Sequence, residues 1–185
     1  MDFLVVYWQP ILASAVLVFI ASSILHMVIP LHKGDYAGLP GEDQVLESMR
    51  NQAIAPGEYM FPYCESMKDT SSPEMIEKYK QGPVGFMAVM PDGAPGIGKN
   101  LVQWFFLSVL VSIFAAYIAS FTGIKTPREL FRLAATVAVL GYAASHISSS
   151  IWKAQKWTTT MKFIVDGTVY GLLTGGAFYV LAPPA

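Results

Sequence analysis

The sequence predicts an all-α integral membrane protein of four antiparallel transmembrane helices, with an irregular, partly helical cap of about 70 residues between helices one and two. Three observations carry this prediction. Of the 185 residues, 54% are hydrophobic and only 14% charged, against about 25% charged in an ordinary soluble domain. The apolar residues gather into four stretches long enough to cross a hydrocarbon core about 30 Å thick, which takes about 20 residues of helix. Four spans cannot close a β-barrel, and backbone groups in lipid must be satisfied within the segment, so helices remain.

In order, residues 1–30 read as the first transmembrane helix, 31–100 as the extramembrane cap, and 101–185 as transmembrane helices two to four. The first apolar stretch, Phe3 to Ile29, contains no Lys, Arg, Asp or Glu. It lacks a basic n-region and is too long for the apolar part of a signal peptide, so it reads as a retained span. Proline removes a helical donor, so a bend is expected near Pro10 and an end at Pro30. Leu101 to Phe121 is free of charge, Leu130 to Trp152 carries Arg132 near its start, and Met161 to Leu181 carries Lys162 and Asp166.

The segment 31–100 holds 10 of the 13 acidic residues and 7 of the 12 prolines, which places it outside lipid. Within it, Glu42 to Ile54 aligns Val45, Leu46, Met49 and Ala53 on one helical face, and Pro73 to Gln81 follows a start signal at Ser72. The clusters APGEYMFPY and PDGAPGIG read as turns. Met60, Phe61, Tyr63, Phe86 and Met87 are expected to pack against the membrane face of the bundle.

A net charge of −1 argues against nucleic-acid binding, and the single Cys64 excludes a disulfide framework or an all-cysteine metal site. Gly93 to Asn100 (GAPGIGKN) approaches a phosphate-binding loop, but Asn100 stands where Ser or Thr would hold magnesium and no room remains for a parallel sheet. It reads as a glycine-rich turn leading into span two, with Lys99 snorkelling to the interface, and no nucleotide is expected. No G-x-S-x-G, H-E-x-x-H or C-x-x-C is present. Lys125, Arg128 and Arg132 flank the terminal side of the spans, against Lys33, Lys99, Lys153, Lys156 and Lys162 on the cap side. The positive-inside rule then leans to a cytoplasmic cap, and the chain looks like a small bacterial inner (plasma) membrane protein.

Polar residues within spans are costly and therefore informative. Up-and-down threading brings His26, His146, Asp166 and Gln103 to the cap-side leaflet, with His32 and Asp35 just beyond the first span. Tyr142 lies one turn from His146, and Lys162 and Tyr170 each lie four residues from Asp166. His26, His146, Asp166 and His32 are candidate ligands of a divalent transition metal. His26, Tyr142, His146, Asp166, Tyr170 and Gln103 are candidates for a proton or substrate path, and paired histidines for a haem. The plain alternative is structural: a Lys162–Asp166 pair at i, i+4, and histidines bonded to neighbouring helices.

Gly167, Gly171 and Gly175 form a small-residue row in span four, facing a row of Gly141, Ser145 and Ser149 in span three, with Ala134 and Ala138 nearby. Tyr7, Trp8, Phe121, Phe131, Phe178 and Tyr179 fall into one interfacial belt, and Trp104, Trp152 and Trp157 into the other. Three functional readings follow. The first is a non-catalytic subunit, accessory protein or homo-oligomer embedded in the lipid bilayer. The second is an oligomeric channel or small transporter using His26, His146 and Asp166. The third is a membrane-embedded metal or haem protein.

Overall fold

The computed structural model describes residues 2–94, 96–124 and 126–183. In chain order the elements are α1 (Asp2–Val6), α2 (Trp8–Ser23), a π-helical turn (Ile24–Val28), a 3-10 turn (Pro30–His32), α3 (Glu42–Asn51), β1 (Gly57–Phe61), a 3-10 turn (Asp69–Ser71), α4 (Pro73–Gln81), β2 (Gly85–Val89), α5 (Ile97–Phe121), α6 (Pro127–Trp152) and α7 (Trp157–Val180). The run Trp8–Val28 and helices α5, α6 and α7 are each long and apolar enough to cross a membrane. The chain divides into two compact units, one of residues 1–35 with 96–185 and the other of residues 36–95.

In the first unit, the first apolar stretch is interrupted at Tyr7, within the turn before Pro10, whose ring cannot bond to the Val6 carbonyl. Pro10 is the third residue of α2, where a missing N–H costs nothing because a helix leaves its first four donors unpaired. The helical run stops at Val28, because Ile29 precedes Pro30 and takes extended backbone angles of −86° and 125°. Helices α6 and α7 begin about a turn earlier than the apolar residues alone indicate. For α6 the reason is a cap: the Thr126 hydroxyl accepts from the Glu129 N–H and donates to the Glu129 carboxylate at 2.8 Å, with Pro127 at the first helical position. Helix α5 begins at Ile97, midway through the glycine-rich GAPGIGKN segment, so Ile97 to Asn100 form its first turn; Pro95 in that segment, and Lys125 before α6, lie outside the described residues.

Helix α2 packs against α5 and α7, and α6 packs against the same two helices. Tyr7, Ile11, Ala115, Ala116, Ala119, Leu130, Ala134 and Phe178 form one buried cluster; Val18, Val111, Ala138, Tyr142 and Tyr170 form another. The expected belt therefore loses three members to the interior. Tyr7 stacks on the fully buried Phe178 at 6.1 Å, and half-buried Trp104 packs on Tyr142 and Tyr170, while Trp8, Trp152 and Trp157 remain exposed. Serine hydroxyls add polar links: Ser14 and Ser112 share a hydrogen bond of 2.7 Å, and the Trp104 indole donates to Ser22 at 2.8 Å.

The α6–α7 seam is the most extensive helix contact. A Cβ on Gly167, Gly171 or Gly175 would lie 2.9 Å from the Ala143 Cβ, 2.9 Å from the Ala135 carbonyl or 2.8 Å from the Phe131 carbonyl. The α6 residues facing these glycines are thus Phe131, Ala135, Val139 and Ala143, one face away from the expected row. Gly141 turns instead to Val111 of α5, and Ser145 is exposed beside the cavity described below. The glycine row was legible, but its partner face depends on how α6 is rotated, which a row of small residues on several faces does not specify.

The second unit contains α3, α4 and an antiparallel β1–β2 pair in which Gly57 faces Val89 and Phe61 faces Gly85. Helix α4 has the expected bounds, with the Ser72 hydroxyl accepting from the Met75 N–H at 3.2 Å. The APGEYMFPY segment is not all turn, since GEYMF is strand β1. Within this unit Met60, Tyr63 and Phe86 are exposed, and Phe61 and Met87 are partly buried.

Candidate functional site

The site is built where the chain leaves α2. The π-helical turn closes with the Ile29 N–H on the Ile24 carbonyl at 2.9 Å, and the 3-10 turn follows at once. This places the rings of His26 and His32 in a stack, 4.3 Å between centroids and 16° between planes. In a continuous α-helix, six residues of separation would turn the two side chains well apart (100° per residue), so the stack depends on the irregular turn.

Asp166 of α7 meets both rings. Its Oδ2 lies 2.7 Å from His32 Nε2 and 3.3 Å from His26 Nε2, and its side chain is 2% exposed. One donor atom from each of His26, His32 and Asp166 fits within a mutual separation of 4.8 Å. Behind His32, Nδ1 lies 2.7 Å from Asp35 Oδ2, while Asp35 Oδ1 accepts from the Lys162 ammonium and from the Thr159 hydroxyl at 3.4 Å. The Lys162 hydrogen bond and the His32 ring hold the Asp35 carboxyl below the usual carboxylate range.

Two expectations are corrected here. Lys162 does not pair with Asp166; it reaches Asp35, because the turn after α2 brings a second carboxylate to that face. His146 is outside the three-residue group: its ring stacks on Phe163 at 4.1 Å and 6°, and Phe163 also lies 4.8 Å from His32. His32 takes the place expected of His146. Gln103 is exposed and does not line the cavity below, whereas Tyr142, His146 and Tyr170 do. Asp35 and Lys162 were noted in the sequence, but their pairing was not. A hint was available: two carboxylates and one lysine near two histidines leave unmatched negative charge.

No protein-family model, curated protein or solved structure matches this chain. The chemistry of the site must therefore be read from its own atoms.

A neutral imidazole carries one N–H, yet both nitrogens of His32 face carboxylate oxygens. With both histidines neutral, Asp35 and Asp166 outweigh Lys162 by one negative charge, which is expensive in a buried setting. A cation on the Nε2 side, either a proton or a metal ion, resolves both difficulties. Beside the group lies a cavity of about 450 Å³ walled by Trp104, Tyr142, His146, Phe163, Asp166 and Tyr170, among others. Along the same helices beyond it, Ser14, Val18, Ser112, Ala138, Thr174 and Phe178 are fully buried, which closes the interior.

Proposed function

We propose that this chain is an integral membrane protein whose His26, His32 and Asp166 bind one divalent transition-metal ion, with a coordination position left open beside the cavity. The observation that carries the reading is the convergence of three donor atoms with His32 held from behind by Asp35. A tetrahedral ion about 2.0–2.2 Å from each ligand spaces its ligand atoms about 3.3 Å apart. His26 and Asp166 stand at 3.3 Å and His32 and Asp166 at 2.7 Å, so small side-chain rotations admit the ion. Metal-ligating histidines characteristically donate their other N–H to a carboxylate, as His32 can to Asp35. Three protein ligands with a fourth position open is the pattern of a reactive rather than a purely structural centre. Ligation of one haem by both histidines does not suit the site, since such ligands lie on opposite faces of the macrocycle whereas these rings stack at 4.3 Å.

The finer arrangement belongs to the same proposal. Up-and-down threading of four spans is supported by the contacts Ser14 to Ser112 and Ser22 to Trp104, whose numbering runs in opposite senses, and by Tyr7 against Phe178. Residues 36–95 are the extramembrane part, and the positive-inside rule sets the Lys162 end of the spans towards the cytoplasm of a bacterial inner membrane. Lipid covers outward residues such as Leu17, Phe106, Phe114, Leu140 and Leu172. A further membrane subunit or a second copy on that surface would give the accessory or homo-oligomeric role, which native mass spectrometry from detergent distinguishes. Conduction through a single chain is the least supported reading, given the closed interior beyond the cavity.

The test is metal stoichiometry. Protein purified in detergent, stripped with chelator and reloaded with zinc or cobalt(II), should hold one ion per chain and show tetrahedral cobalt absorption. His26→Ala and Asp166→Asn should each abolish it. A folded, stripped protein that takes up no stoichiometric ion would leave a proton shared among His32, Asp35 and Asp166 as the resolution, and the metal reading would fall.

A further inference from the structure

Strand β2 has an open side. Among the described residues it pairs with β1 alone, and in a two-stranded antiparallel ladder half of each strand's backbone groups point away from the partner. No backbone hydrogen bond joins Gly85–Val89 to any part of the chain but β1 among the described residues. A lone hairpin is marginal in water, and a third strand or a packed helix is normally needed to hold it. The unit of residues 36–95 supplies little else. Met75 is its one buried hydrophobic side chain among the described residues, while Val84, Phe86 and Met90 stand exposed along β2.

The two edges of the pair are not alike. Edge strands are ordinarily blunted by prolines, charges or brevity. Strand β1 lies in a five-residue interval between Pro56 and Pro62 and carries Glu58. Strand β2 lies in a seven-residue interval between Pro83 and Pro91, VGFMAVM, with no charge. Its open edge is the longer and the more adhesive of the two.

That edge is complementary to itself. Set antiparallel about a two-fold axis at Met87, the strand places Phe86 opposite Ala88 of a second copy, Gly85 opposite Val89 and Val84 opposite Met90. Large faces small at the two inner pairs, and no charge is covered. An anionic lipid surface would repel a unit with nine acidic residues against four basic ones, whereas two copies meet along a strand that carries no charge. A second copy also has an advantage over a foreign extended segment. Chains inserted alike hold this unit on the same side of one membrane, and confinement raises their effective concentration.

We infer that β2 of two copies pairs antiparallel about Met87, so that two chains share a four-stranded sheet in the order β1–β2–β2–β1. This goes beyond the metal reading and is independent of it, since the sheet contains no residue of the ion group.

The experiment uses the full chain reconstituted into liposomes at a high lipid-to-protein ratio, with Cys64→Ser throughout. On the axis, Met87 lies opposite its own counterpart with Cα atoms about 4.5 or 5.5 Å apart, within disulfide reach. Met60 of β1 is separated from its counterpart by at least three strand spacings, about 14 Å. Oxidation with diamide, each rate normalised to that thiol's reaction with N-ethylmaleimide, should link Met87→Cys chains at least about tenfold faster than Met60→Cys chains, although Met60 is the more exposed. In the Met87→Cys protein, Phe86→Lys with Ala88→Lys sets lysine against lysine at both inner pairs and should slow linking about tenfold, whereas Phe86→Glu with Ala88→Lys sets unlike charges there and should restore it. Both pairs of changes fall on exposed side chains, and Ala88→Lys faces Glu58 within the chain. Linking that is as fast at Met60, that survives the two lysines, or that the Glu/Lys combination does not restore overturns the proposal. In native membranes, a disulfide from Met87→Cys to a different protein and none to a second copy assigns the edge to a foreign strand, which overturns it as well.

Discussion

Asp35 shows how one residue outside the spans can organise a site inside them. It joins His32 to Lys162 and Thr159, and so orients the imidazole that meets Asp166. Removing its charge while keeping its shape, as in Asp35→Asn, should weaken zinc or cobalt binding roughly 10–100-fold without abolishing it, as replacing groups behind metal-ligating histidines does elsewhere. Competition against a chelator of known affinity reads this directly. An unchanged affinity would show that the Asp35 contact does not support the ligand. His146→Ala should leave the stoichiometry of the ion untouched, because that ring stacks on Phe163 and is not among the three converging donors; loss of the ion in that variant would restore His146 to the ligand set.

Among the elements, α6 and α7 make the clearest case for packing by small residues. Lipid offers no hydrophobic drive between helices, so close backbone approach and van der Waals contact must hold the pair. Gly171→Val would drive a branched side chain against the Ala135 carbonyl and Val139, and overpacking of this kind costs about 1–3 kcal/mol. Gly176→Ala is the internal control. Nothing lies within 4 Å of its added Cβ, so the better helix propensity of alanine should leave stability equal or raised by up to about 1 kcal/mol. Thermal unfolding in one detergent compares the two, and a Gly171→Val protein as stable as its parent would contradict the seam. At the head of α6, Thr126→Ala removes the hydroxyl cap and should cost about 1 kcal/mol.

For the molecule as a whole, the proposed orientation is open to a direct test. Tyr63 is 68% exposed in the unit of residues 36–95 and sits beside the single cysteine, Cys64. A Tyr63→Cys, Cys64→Ser protein should react with a membrane-impermeant maleimide in inside-out vesicles and be shielded in right-side-out ones. The reverse pattern would invert the topology and place the metal site near the outer leaflet. The division into two units carries a second lesson. Residues 36–95 are rich in turn signals, and there the sequence reading placed α4 to the residue but took strand β1 for a turn. A proline-bounded helix start is a local signal, whereas β1 exists only through its pairing with β2, more than 20 residues away.

Composition and span length alone determined that this chain has four helices able to cross a membrane, because the thickness of the hydrocarbon core and the need to pair every backbone group act on each segment separately. They also marked His26, His32 and Asp166 as residues whose presence at or beside a span needs a reason. Tertiary structure alone decided which of the polar residues meet. One irregular turn after α2 folds His32 back onto His26 and draws Asp35 to Lys162, while His146 stacks on Phe163 outside the converging group. Helical periodicity cannot anticipate this, since a π-turn followed by an X-Pro break resets the angular position of every side chain beyond it.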